Sequence, residues 1–234
     1  VVGDGWLAGM LAALRRAEFV TGSWEGDRLN STHRASVTWT TNPIVTKPFL
    51  PWLPATGAGT MGIDRQVFVD LGGFEESLAT GEDVDLSWRV QLAGHRLEYH
   101  PEIILHVRKR DGLRAIYRQA YAYGAGDKLL RHRYADVITA YRRAAAEDAG
   151  AGSVEPDAAP SEQGTPGRQA PGRWSEGRRR LLRLLRAVRN KLGRGRAGLA
   201  DTVWRLGERA GHKNGQVDPH APRVPVPCDL PRPD

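Results

Sequence analysis

The chain has 234 residues, 40% of them hydrophobic, with a net charge of +7 and one cysteine, Cys228. That is enough for one domain with a real core plus further material. The lone cysteine excludes a disulfide framework and fits a reducing, cytoplasmic compartment. No run of about 18 apolar residues occurs and no stretch reads as a signal peptide, so neither a spanning helix nor a secretory leader is expected.

In chain order, a helix is predicted from about Trp6 to Arg16, then a strand over 17–24 ("AEFVTGSW"). A polar stretch with Trp and Pro, Glu25–Pro54, follows without a clear period. "TGAGTMGI" (56–63), a short helix over 65–71 and the turn Gly72-Gly73 come next. The helix that starts at Glu82-Asp83 is expected to stop at Gly94, since glycine is a frequent helix terminator. "HRLEYHP" and "EIILHV" read as two strands punctuated by Pro101. "DGLRAIYRQAYAYGAG" and "DKLLRHRYADVITAYRRAAAE" read as two helices, giving an α/β arrangement for residues 1–146.

The composition shifts after that. Residues 147–173 are rich in Gly, Pro, Ala, Ser and Gln and are expected to form a disordered linker. Residues 174–210 read as a basic amphipathic helical tail, and the Pro-rich residues 211–234 as a disordered end. The basicity is local: between Arg173 and Arg196 nine Arg and one Lys face a single acid, Glu176, so this segment carries +9 and the remainder −2. Within the tail Leu181, Leu184, Leu185, Val188 and Leu192 share one helical face, and a second stripe follows at Leu199, Val203 and Leu206. Three readings stand: a helix packed on the domain, an interfacial helix on an anionic membrane surface, or nucleic-acid binding. Nucleic acid is disfavoured, because a leucine stripe needs burial that phosphate contacts do not give.

The chemistry-bearing stretch is "GEDVDLSWR" (81–89), three carboxylates within four positions after a glycine. Acids in a first helical turn complement the helix dipole and need no further explanation. The ordered series around them says more: the glycine-rich "GAGTMGI", then "DRQVF", "LGGFEES", "GEDVDLSWR", "AGHRLEYHP" and His106. This series resembles the C-terminal, acceptor-side half of a family 2 inverting glycosyltransferase of the GT-A fold, over residues 3–107.

The resemblance implies a partial GT-A (nucleotide-diphospho-sugar transferase-like) α/β domain with a helical C-terminal extension. It also implies that Asp83 is the general base taking the proton of the attacking acceptor hydroxyl and that Glu82 binds the acceptor. Asp85 is left to capping or structural polar contacts. His106 would complete a site for a divalent cation, Mn²⁺ or Mg²⁺, on the donor diphosphate. Gly57, Ala58, Gly59 and Thr60 would border the donor and acceptor pocket, and Trp24, Trp39 and Trp52 are candidate sugar platforms, with burial an equal alternative. His33, His95, His100 and His132 read as ordinary.

Two departures matter. The family's Asp-x-Asp motif is not found before "VVGDGWL", so an N-terminal truncation is expected, and with it weak or no donor binding by this polypeptide. A Gln-x-x-Arg-Trp motif and spanning helices, which processive relatives carry, are also not found, pointing to single addition. The expected partners are a nucleotide-diphosphate sugar and a saccharide or lipid-linked acceptor, with a peripheral position at the inner face of the plasma membrane and a role in the cell envelope. The alternative is a non-catalytic membrane- or nucleic-acid-associating module with a degenerate transferase fold.

Overall fold

The structure, a computed structural model, describes residues 1–30, 42–151 and 195–231. Trp39, His33, nearly all of the expected linker and the Arg/Leu stretch up to Arg194 lie outside the described residues. Among those described, no helix is long and apolar enough to cross a membrane.

The elements are α1 (Trp6–Leu14), β1 (Phe19–Glu25), β2 (Val45–Lys47), β3 (Leu50–Ala55), a 3-10 turn (Ala58–Thr60), β4 (Met61–Ile63), α2 (Arg65–Asp70), α3 (Glu82–Leu92), β5 (Leu97–His106), α4 (Leu113–Arg133), α5 (Ala135–Ala151) and α6 (Gly195–Asn214). One sheet has the order β4-β1-β5, with β1 antiparallel to β4 and parallel to β5; β2 and β3 form a separate antiparallel pair. Phe19 and Val20 at the head of the central strand are fully buried. Thr21 and Ser23 are buried with them, so both faces of the central strand are covered and its polar side chains are hydrogen-bonded within the protein.

β5 is one strand where the sequence suggested two. Proline 101 is absorbed by an irregularity: Thr21 pairs with Tyr99, but Ser23 pairs already with Ile104. Ser23 Oγ donates to the Pro101 carbonyl at 3.0 Å and pairs with Tyr99 Oη at 2.8 Å, so a side chain replaces part of the interrupted ladder.

Helix α3 is buried on most sides, with Leu86, Trp88 and Val90 fully enclosed. Its polar groups are spent on β3 and the loop that follows it. Trp88 Nε1 donates to the Leu53 carbonyl at 2.7 Å, Gln91 Nε2 to that of Pro54 at 2.6 Å, and the Thr56 N–H to Ser87 Oγ at 3.2 Å. A buried indole or amide without a partner would cost more than the bond it forgoes, so these contacts fix where α3 lies. Trp88 stands edge-on to Phe49 and Tyr134, at the centre of a core shared by β3, α3, α4 and α5.

The helix boundary expected near Gly124–Gly126 falls instead at Tyr134, since α4 runs unbroken through both glycines. They serve close approach. A Cβ on Gly124 would lie 2.1 Å from the Glu208 carbonyl oxygen of α6, and one on Gly211 of α6 would lie 2.0 Å from that of Tyr121. The two helix backbones therefore touch along a glycine seam. For residues 195–214, this is the arrangement of a helix packed on the domain. Replacing Gly211 by Ala is expected to cost about 1–3 kcal/mol through overpacking against backbone that cannot yield, with hydrogen exchange accelerated across 195–214. Unchanged exchange there would mean that the seam is not tight.

The Pro-rich end, expected to be disordered, is laid along α4 and α5 over 215–231. Val224 is buried and its N–H donates to the Arg133 carbonyl at 2.9 Å, while Tyr141 Oη donates to that of Pro231 at 2.8 Å. Proline stretches lose little entropy on ordering, so a few anchors suffice. The helix that precedes the expected linker also continues beyond residue 146, to Ala151.

Candidate active site

Gly81 caps α3 in the left-handed conformation (φ 85°), a geometry that favours glycine. It turns the chain so that the first-turn acids diverge. Glu82 and Asp83 line a cavity of about 560 Å³, whereas Asp85 is fully buried in the protein. The other walls come from Trp24 and Gly57, from Lys47 on β2, from Tyr123 and Asp127 on α4, and from Trp204 and Glu208 on α6.

Asp83 is held by backbone. The Val84 N–H donates to Oδ1 at 2.8 Å and the Ala58 N–H approaches Oδ2 at 3.4 Å. Burial, and then the neighbouring Glu82 charge, push its carboxyl above the ordinary aspartate value. A half-buried carboxylate of raised basicity at a cavity wall is suited to accepting a proton.

The glycine-rich turn serves partly another purpose than a ligand. A Cβ on Gly57 would sit 2.6 Å from the Trp24 ring, and one on Gly59 would sit 2.9 Å from a Leu105 methyl. Gly57 reaches the cavity, but Ala58, Gly59 and Thr60 are not among its lining residues. Thr60 instead shares a buried hydroxyl group cluster with Thr21 (3.1 Å) and Thr56, the latter 2.5 Å from Thr21. Of the candidate sugar platforms, Trp24 lines the cavity, and Trp52 stacks on Tyr141 at 5.4 Å away from it.

His106 ends β5 beside Glu25, the last residue of β1. Its Nδ1 lies 2.5 Å from Glu25 Oε2 and its Nε2 3.1 Å from Arg28 Nη1. Because a guanidinium only donates, Nε2 accepts and Nδ1–H donates to the carboxylate. That hydrogen bond, with the Asp27 N–H, holds Glu25 below the usual glutamate range. A carboxylate behind a histidine is a common support for a metal ligand, yet here the free lone pair faces Arg28. Among the described residues, no converging group of three potential ligands includes His106. These residues alone do not fit the family's cation. Of the other histidines, His95 pairs with Glu18 and His100 with Glu98 and Glu102.

The sequence reading missed Lys47, Tyr123, Asp127, Trp204 and Glu208. A signal existed in the four-residue spacing of Tyr123 with Asp127 and of Trp204, Glu208 and His212, each set on one helical face. Tyr123 and Trp204 meet edge-to-face at 5.6 Å across the helix pair.

A family model described as "Glycosyl transferase family group 2" matches residues 17–154, more than half of the chain. The chain belongs to that family. Two curated proteins named pre-mycofactocin glycosyltransferase, from Mycobacterium tuberculosis strains CDC 1551 / Oshkosh and ATCC 25618 / H37Rv, are each 44% identical to it over 68 residues. Those residues make up 29% of this chain and 14% of each relative, so the chain spans a small part of the curated proteins it matches. As a family group 2 glycosyl transferase domain it is a mixed α/β unit consistent with a GT-A-like fold.

Proposed function

We propose that this domain serves the acceptor side of an inverting, single-addition glycosyl transfer, with Asp83 as the general base. The observation that carries the reading is the placement of Asp83 on the cavity wall, oriented by backbone N–H groups and made more basic by burial. An acceptor hydroxyl in the cavity would pass its proton to Asp83 as its oxygen forms the bond to the sugar's anomeric carbon. The nucleoside diphosphate would leave with the electron pair of the broken bond from the opposite face, inverting that centre. Glu82, beside Asp83 on the same wall, would accept hydrogen bonds from the acceptor's other hydroxyls. Trp24 and Trp204 offer flat apolar faces with polar edges, which suit a saccharide or the headgroup of a lipid-linked acceptor.

The test is the stereochemistry of the product. The longest polypeptide that the gene encodes is incubated with Mn²⁺ or Mg²⁺, a panel of nucleotide-sugars and simple glycoside acceptors, and the new linkage is read by proton NMR. The expected result is one added sugar with the anomeric configuration opposite to the donor's. Retention of configuration would rule out direct displacement with Asp83 as base, and a ladder of added sugars would rule out single addition.

A further inference from the structure

The contact between α4 and α6 does more than bury glycines. It sets Glu208 and His212, one turn apart on α6, opposite Asp127 of α4, with a ligand atom of each within 4.8 Å of the others. None of the three belongs to the acceptor-side residues of the proposed reaction.

We propose that Asp127, Glu208 and His212 form a divalent-cation site that clasps α6 to α4 at the cavity wall. Three observations converge on a cation. Among the described residues, neither Glu208 nor His212 has a side-chain hydrogen bond or ion-pair partner. Lys47, the partner of Asp127, takes Oδ1 at 2.6 Å, which leaves Oδ2 as a ligand atom. Among the described residues the cavity is lined by four carboxylates, those of Glu82, Asp83, Asp127 and Glu208, against one ammonium, that of Lys47. Such an excess of negative charge in a half-enclosed space calls for a compensating cation.

The donor set selects the ion. Two carboxylate oxygens with one imidazole nitrogen suit Zn²⁺ or Mn²⁺; Mg²⁺ and Ca²⁺ prefer oxygen throughout. Three protein ligands leave a coordination position for water or an incoming hydroxyl, as open zinc sites do. Because the helix backbones already touch at Gly124 and Gly211, little reorganisation is needed to close the ligands on an ion. The ion would also fix Trp204, one turn before Glu208, in the cavity wall.

The experiment needs no glycosyl transfer. Chelator-treated protein is titrated with Zn²⁺ alone by calorimetry, and in parallel with Co²⁺ followed by its visible absorption. One equivalent is expected to bind, raising the melting temperature and giving a Co²⁺ spectrum with nitrogen and oxygen ligation. Losing even a supporting partner of a metal ligand costs about ten- to a hundred-fold in affinity. Asp127→Asn, Glu208→Gln and His212→Ala are each expected to weaken binding at least that much, with metal-free circular dichroism unchanged. Should His212→Ala fail to fold, His212→Gln keeps the volume and lacks the imidazole. Binding that is absent from the parent protein, or equally tight in all the variants, overturns the site.

Discussion

Replacing Asp83 by Asn is expected to lower transfer by about 10²–10⁴-fold, the usual contribution of a positioned general base, without destabilising the protein. The side chain keeps its volume and an oxygen that can accept from the Val84 N–H, which now donates to Oδ1 at 2.8 Å. What is lost is the ability to take a proton. Stability should move the other way. Burial and the Glu82 charge raise the folded-state value of Asp83, so the folded chain holds this proton more tightly than the unfolded chain does. The resulting stabilisation is fully present below the unfolded value, near 3.9, and is lost as pH rises through the higher folded value. At neutral pH the ionised carboxylate is therefore a net cost, which Asn removes. Thermal melts at pH 7 should place the Asn variant at or above the parent, and the difference should vanish in acid. The acid limb of kcat/KM in the parent should fall at a pH above that of a free aspartate. Turnover retained in the Asn variant would remove Asp83 from the base role.

This pairing of low activity with retained stability distinguishes a catalytic group from a structural one. Functional carboxylates are often held where the fold would rather not have them. The acid limb adds a second reading that loss of packing would not mimic.

How much of this was legible in the sequence follows from which interactions are local. The start of α3 could be read, because a glycine followed by acids is a short-range signal, and so could α1, α2 and the chain reversal at Gly72-Gly73. The direction in which each acid points could be read only as a difference between helix faces. The β2–β3 pair is not visible in the sequence, since Val45–Lys47 is only three residues long and Leu50–Ala55 carries two prolines, and β3 is held by α3 through Trp88 and Gln91. Glycines 124 and 126 looked like a helix end, for glycine lowers local helix propensity. Their use is tertiary, against Glu208 and Thr80, and nothing within a few residues of them says so. The wall formed by α6 was hidden for the same reason: Asp127 and Glu208 are far apart in sequence and meet only because two glycine faces allow the helices to touch. Asp85, by contrast, reads from the sequence as a capping or structural polar residue, and the buried network around it is of the second kind.

Two residues along from the proposed base, the opposite outcome is expected. Asp85 Oδ1 accepts from Arg133 Nε at 2.8 Å and from the Tyr134 hydroxyl at 2.9 Å, and Oδ2 accepts from Arg89 Nε at 2.7 Å. Arg89 also donates to the carbonyls of Leu71 (2.7 Å) and Gly73 (2.6 Å), and Arg133 pairs with Glu75 at 3.0 Å. A single fully buried carboxylate thus ties α3 to the Gly72-Gly73 turn, to the end of α4 and to the first residue past it. Burial, followed by the Asp85 charge, drives the Tyr134 hydroxyl above the ordinary tyrosine value, in keeping with its role as a donor to Asp85. Asp85→Asn preserves shape but takes the counter-charge from the largely buried Arg89 guanidinium and leaves Arg133 with Glu75 alone. Breaking a buried ion pair from one side costs about 3–5 kcal/mol, which for a chain of this size lowers the melting temperature by roughly 2–4 °C per kcal/mol. Thermal unfolding should therefore show a fall several-fold larger than any change from Asp83→Asn, and added salt should restore little of it because the network is shielded from solvent. A melt within a degree or two of the parent would mean that the network contributes no net stability. The two aspartates would then no longer divide as the structure divides them, one facing the cavity and one locked into the protein.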